Sequence, residues 1–189
     1  MFRGTNYIGG NKEMKRLNIG SGTDYREGWD NIDYNKEYHP EIIWDLTKMP
    51  WPIEDSTYDE IAMIHVLEHF HDPILIVNEI YRISKNGAKV LIKVPHHSSH
   101  FSKGDLTHHH QFSTREFTHF QYDEIYYNSS TRFKVKTSLN CVNAKNRLPA
   151  KIFNYIFNPI VNFNFSLTEN LLCKFIPIYE VIFELEVIK

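Results

Sequence analysis

Five short apolar runs, residues 16–19, 29–33, 42–44, 60–65 and 89–94, mark the first half of the chain. They do not alternate strictly between polar and apolar positions, which predicts strands buried on both faces of a parallel sheet. Between the fourth and fifth runs, Ile74, Val77, Ile80, Tyr81 and Ile83 recur at i, i+3, i+4 spacing behind an Asp72 N-cap and Pro73 at the first helical position. Asn86-Gly87 is expected to stop this helix, and the strand that follows makes half of a βαβ crossover, so any site should lie at the carboxyl ends of the strands. Residues 133–139 and 179–188 alternate and predict an antiparallel pair. Between them, 147–177 is rich in Phe, Ile and Asn. It reads as a helical insertion that is a lid over an acceptor pocket, a dimer or membrane-surface contact, or plain packing against the sheet. Residues 1–14, with Gly4, Gly9 and Gly10 among polar neighbours, read as a loose tail.

A length of 189 residues suits a single domain and leaves no room for a second catalytic lobe. With 21 Lys+Arg against 23 Asp+Glu there is no global basic field for a phosphate backbone, so no nucleic-acid partner is expected. Two cysteines, Cys141 and Cys173, exclude a disulfide framework and a four-thiolate metal site. The chain start lacks the apolar run of a signal peptide and no stretch approaches a membrane span, so a cytoplasmic protein that is not integral to a membrane is expected.

Leu17-Asn-Ile-Gly-Ser-Gly22 puts glycines where a buried strand should end, letting the backbone turn sharply and approach a ligand; alone, such a turn is usually only a turn. The full dinucleotide fingerprint fails, because Tyr25 stands where its third glycine belongs. Asp33 ends the next run, placed to accept both hydroxyls of a ribose, and Asp45, followed by Leu46, ends the one after. Either aspartate could be a turn residue, but three successive strand ends carrying Gly-x-Gly, Asp and Asp-Leu form a set.

That set, in order with Gly28-Trp-Asp-Asn-Ile-Asp33, Met49-Pro-Trp-Pro-Ile-Glu-Asp-Ser-Thr-Tyr-Asp-Glu60, His65-Val-Leu-Glu-His69, Glu79-Ile-Tyr-Arg-Ile-Ser-Lys-Asn-Gly87 and Val90-Leu-Ile-Lys-Val-Pro95, resembles a class I S-adenosylmethionine-dependent methyltransferase of the small methyltransferase-domain type. The resemblance covers about residues 15–97. It implies an α/β, Rossmann-like, mostly parallel sheet with helices on both faces, an antiparallel last strand and the insertion before it. Within one domain over 1–189, residues 15–97 would form the cofactor-binding half and 98–189 the substrate-side half. It implies S-adenosylmethionine as cofactor, with Gly20, Ser21 and Gly22 under its methionine part. Asp33 would hold the ribose hydroxyls, Tyr34 would stand beside the adenine, and Asp45 and Leu46 would read the ring edge. His65 and Val66 would line the sulfonium region. Only residues 23–31 separate Gly22 from Ile32, too few for a full crossover, so the first helix should be reduced to a turn.

Eleven histidines are unusual for this length, and six of them fall within residues 96–110, after the strand ending at Pro95. His97, His100, Asp105 and His108 are candidates for a substrate-facing loop, one of them a general base. His108-His-His110 lacks the i, i+4 spacing of a preorganised metal pair and has no companion cysteines, so no metal is expected. A metal-dependent enzyme built on the 96–110 cluster is the alternative, and a non-catalytic S-adenosylmethionine-binding module a third reading. The acceptor expected is a small molecule or glycan-type compound, and a homodimer is one of the readings open for the apolar insertion.

Overall fold

The computed structural model describes residues 13–121, 131–143 and 147–189; the expected tail lies almost wholly outside them. Seven strands form one sheet in the order β3-β2-β1-β4-β5-β7-β6: β1 Arg16–Ile19, β2 Asp30–Asp33, β3 Ile42–Ile43, β4 Tyr58–Ile64, β5 Ser84–Pro95, β6 Phe133–Asn140 and β7 Glu180–Val187. All neighbours pair in parallel except β7, which is antiparallel to both β5 and β6. The architecture is therefore the expected mostly parallel α/β sheet with an antiparallel last strand.

Register explains the two faces. Ile19, Met63, Ile92 and Phe183 are successive partners across β1, β4, β5 and β7, and all four are fully buried. One and three residues along β5 from Ile92, the partner rows Leu91, Glu184, Lys136 and Lys89, Glu186, Lys134 lie on the opposite face. Glu186 there pairs with Lys89 and Lys134, and Lys136 Nζ lies 2.7 Å from Glu184. On that face, at the β1 end, no α-helix follows β1; turns over 22–28 replace it, as the short spacing predicts.

The helix α1, Pro73–Ile83, has the expected start: Asp72 Oδ1 accepts from the Ile74 and Leu75 amides and Pro73 opens the first turn. Its end is a correction. The chain leaves the helix at Ser84, which is extended, fully buried and already paired with Tyr58, so Asn86-Gly87 is not the helix stop. Ser84 Oγ donates to the Ile80 carbonyl at 2.6 Å, satisfying a last-turn acceptor, and Gly87 (φ 76°) sits where the β4–β5 register shifts.

Between β6 and β7 lie α3, Leu148–Phe163, and α4, Phe165–Asn170, within the insertion expected at 147–177. A short α2, His100–Gly104, follows β5. Phe153, Phe157 and Phe165 pack on the core, whereas Ile152, Tyr155, Ile156 and Phe163 of α3 are exposed. Among the described residues no helix is long and apolar enough to cross a membrane.

Candidate active site

The loop after β1 is shaped by two left-handed glycines, Gly20 (φ 64°) and Gly22 (φ 42°). At Gly20 the requirement is also steric, because a Cβ would stand 2.5 Å from Val66 Cγ2. At Gly22 a Cβ would meet nothing within 4 Å, so the turn presents bare backbone to open space. Ser21 between them is buried, and its Oγ has no hydrogen-bond partner among the described residues.

Asp33 ties this loop to the end of β2. Its Oδ2 accepts from the Gly22 amide at 2.9 Å and its Oδ1 from the Asn35 amide at 2.8 Å, and each oxygen keeps a further lone pair. The connection between the loop and β2, in place of a helix, hangs on Asn31, which is fully buried. Its Oδ1 accepts from the Arg26 amide and from Asn18 Nδ2, both at 3.0 Å, while its Nδ2 approaches the Arg26 and Trp29 carbonyls and Glu41. Burial raises the Glu41 carboxyl, but hydrogen bonds from Tyr25 and Asn31 outweigh it and hold the pKa down at about 2.

Asp45 is half-exposed beyond β3 and closes its own turn, accepting from Thr47 Oγ1 at 2.7 Å and the Thr47 amide at 3.0 Å. These hydrogen bonds, more than burial opposes, keep its carboxyl below the ordinary range. Leu46 beside it is buried, its carbonyl accepting from Trp51 Nε1 at 3.0 Å. Trp51 is in turn anchored by its amide on Glu79 Oε1 at 2.7 Å, which accounts for the Met49-Pro-Trp-Pro segment. Tyr34 is 78% exposed.

His65 follows β4 in a left-handed conformation (φ 54°), costly for a side chain with a Cβ and characteristic of functional sites. Its ring lies between two buried carboxylates, Nε2 at 3.2 Å from Glu180 and Nδ1 at 3.5 Å from Glu68. Burial alone would lower the His65 pKa; Glu180 and then Glu68 overcome it and raise it to about 9, so the ring is cationic at neutral pH. The same contact, with Asn140 and Lys93, holds Glu180 below its usual range against a burial effect that would raise it.

Beside His65 a cavity of about 490 Å³ is lined by Glu68, His69, His100, Asp105, His108 and Tyr179. A larger one of about 800 Å³ shares His100, Phe101 and Tyr179 and runs toward Cys141, Arg147 and Ile178. Three of the four substrate-loop candidates, His100, Asp105 and His108, thus come together at the carboxyl rim. His97 does not line either cavity; its amide donates to the Phe112 carbonyl and its ring packs on His96. Glu68, His69, Tyr179 and Glu180 are not among the candidates read from the sequence, yet all four stand at this site. The signal for Glu68 and His69 was present in the His65-Val-Leu-Glu-His69 turn, but Tyr179 and Glu180 reach the rim only because β7 runs antiparallel beside β5.

Residues 7–138, well over half of the chain, match the family model described as a methyltransferase domain. A search of curated proteins finds no match. Solved structures with the same fold include an S-adenosylmethionine-dependent methyltransferase from Archaeoglobus fulgidus, at 16% identity and TM-score 0.59, covering 93% of this chain and 87% of that one. The YcgJ protein from Bacillus subtilis matches at 14% identity and TM-score 0.57, covering 94% and 92%. Phosphoethanolamine N-methyltransferase 2 of Haemonchus contortus, solved with S-adenosyl-L-methionine, matches at 13% identity and TM-score 0.55, covering 93% of this chain and 48% of that one.

Proposed function

Because the chain belongs to the methyltransferase-domain family, we propose that it moves a methyl group from S-adenosylmethionine to a small-molecule or glycan-type acceptor held in the cavity beside His65. The observation that carries the reading is the glycine turn. Bare backbone at Gly22, a buried Ser21 hydroxyl without a partner, and an Asp33 carboxylate fixed by two amides with lone pairs to spare suit a ribose and a methionine tail. Gly20, Ser21 and Gly22 would lie under the methionine part and Asp33 against the ribose. Tyr34, Asp45 and Leu46 would border the adenine, with His65 and Val66 toward the sulfur. The cofactor supplies an already activated methyl carbon, so the protein's part is to align the acceptor and exclude water.

His65, cationic between Glu68 and Glu180, orients those carboxylates and is not free to take a proton at neutral pH. The proton of the acceptor is instead assigned to the groups across the cavity, His100, Asp105 and His108. The mixed polar and aromatic lining suits a hydroxyl- or carboxyl-bearing small molecule, and the near-neutral chain charge disfavours nucleic acid. Homodimer contact through Ile152, Tyr155, Ile156 and Phe163 and a cytoplasmic site of action complete the proposal.

Calorimetric titration of the full chain with S-adenosylmethionine and S-adenosylhomocysteine tests it. Binding should be lost or weakened at least tenfold in Asp33→Ala and weakened less in Asp45→Ala, whose side chain is occupied within its own turn. A wild-type chain that binds neither compound at millimolar concentration would overturn the reading.

A further inference from the structure

We propose that Glu68, His69 and His108 form a site for a divalent first-row transition ion such as Zn2+ in the wall of the acceptor cavity. One ligand atom from each of the three residues lies within 4.8 Å of the others. The carboxylate and the first imidazole come from the turn after β4, and the second imidazole from the loop after α2, so the missing helical spacing within His108-His-His110 is supplied by a distant segment.

Both rings are held at Nδ1. His69 Nδ1 stands 3.3 Å from the Thr107 carbonyl and 2.9 Å from its hydroxyl, and His108 Nδ1 stands 3.3 Å from the Ser102 carbonyl. A carbonyl only accepts, so a hydrogen bond at each Nδ1 requires the proton there, which leaves Nε2 as the nitrogen to present a lone pair to an ion. This is the arrangement in which metal-bound imidazoles are held by a backbone acceptor on the far nitrogen.

Glu68 gives the independent sign of an incomplete shell. It is 1% exposed, and neither carboxylate oxygen accepts a hydrogen bond among the described residues; His65 Nδ1, at 3.5 Å, is at the outer limit of an ion pair. A buried carboxylate so poorly satisfied is costly, and a dication at its side removes that cost. The loop is also stapled in place, because the Glu68 carbonyl accepts from the His109 amide at 2.9 Å and the His110 amide at 3.4 Å.

Two imidazoles and one carboxylate suit zinc or a neighbouring first-row ion better than magnesium or calcium, and leave positions open toward the cavity. Asp105 Oδ2, 3.8 Å from His108 Nε2, stands beside one of them. With His108 committed to the ion, an acceptor oxygen bound at an open position would pass its proton to Asp105 or His100 more readily. That last step rests on the proposed methyl transfer; the ion site does not.

The test uses the full chain without a histidine tag, titrated with zinc chloride by competition against a chromogenic chelator. Wild type should take up one equivalent at micromolar concentration or tighter. His108→Ala and Glu68→Gln should weaken uptake at least tenfold, while His109→Ala, which removes only a ring stacked on His71, should match wild type. Cobalt chloride on the wild type should give visible d–d absorption, a readout that needs no variant to fold. Absence of uptake at micromolar zinc, or unchanged uptake in His108→Ala, would overturn the site. S-adenosylhomocysteine binding measured alongside keeps the two proposals apart: its failure with zinc uptake intact would remove the methyl-transfer reading alone.

Discussion

Gly20 and Val66 are in such close approach that a Cβ on the glycine would stand 2.5 Å from Val66 Cγ2, and the glycine is left-handed besides. The turn after β1 and the turn after β4 therefore fix one another, and with them the spacing between the proposed methionine cradle and His65. Gly20→Ala should cost about 2–4 kcal/mol, combining overpacking with backbone strain. Val66→Ala in the same chain should recover about 1–2 kcal/mol of that in a double-mutant cycle, since it relieves the clash and not the strain. Urea unfolding of the four proteins measures it; simple additivity would mean that the contact has no energetic weight.

Asn31 does for the β1–β2 connection what a first helix would otherwise do. One buried amide binds the Arg26 amide and carbonyl, the Trp29 carbonyl, Asn18 and Glu41. Asn31→Ala strands several of those groups out of reach of water and should cost about 2–4 kcal/mol. Cofactor affinity should fall with it, because Gly22 and Asp33 lie at the two ends of the segment that Asn31 organises. Parallel unfolding and S-adenosylhomocysteine titration check both effects.

Much of this was legible in the chain. Asp72-Pro73 announced α1, and the glycine turn with Asp33 and Asp45 at successive strand ends announced the rim, because strand ends and helix starts are written locally. Ser84 shows where local reading failed: Asn86-Gly87 is a good stop, but pairing with Tyr58 pulls the chain into β5 first. Glu180 and Tyr179 at the rim depend on the direction of β7, and the Glu68–His108 meeting depends on a loop returning to a distant turn. Neither leaves a periodic trace. The asparagines of α3 show in the sequence only as part of the composition of residues 147–177, because their partner is an edge strand that only the fold supplies.

His96 is fully buried, with Nδ1 accepting from the Ser98 amide at 3.2 Å and Nε2 lying 3.8 Å from Glu169 Oε1. Burial, then the neighbouring His97, pushes its pKa down to about 3. The folded value lies below the unfolded one, so between about pH 6.5 and 3 the unfolded chain takes up a proton that the native ring refuses. The stability that this ring contributes is therefore whole above about pH 6.5 and declines as pH falls, by up to about 1.4 kcal/mol per unit. His96→Asn keeps an acceptor for Ser98 and removes the titration. Between pH 7.5 and 5 the wild type should lose about 1–2 kcal/mol more than the variant in urea unfolding, and equal losses would show that His96 does not titrate in this way.

Asn154, Asn158 and Asn162 recur every fourth residue along α3 and turn their amides onto the outer edge of β6 and the residues that continue it. Asn162 Oδ1 accepts from the Leu139 amide at 2.7 Å and its Nδ2 donates to the Leu139 carbonyl at 2.8 Å; Asn158 accepts from the Cys141 amide, and Asn154 holds both the amide and carbonyl of Val142. Because β6 ends the sheet, its outward backbone groups would otherwise offer a template for another strand. The helix thus turns Asn154, Asn158 and Asn162 inward beside Phe153, Phe157 and Val161, and leaves Ile152, Tyr155, Ile156 and Phe163 outside, where a surface helix usually carries polar residues. Asn162→Leu should preserve helix propensity yet cost about 2–4 kcal/mol by unpairing both Leu139 groups. Amide exchange at 133–143 should quicken while that of β4 and α1 stays at wild-type rates, and aggregation should become dependent on concentration. Exchange that rises equally across the sheet would instead mean that α3 contributes general stability and does not guard this edge.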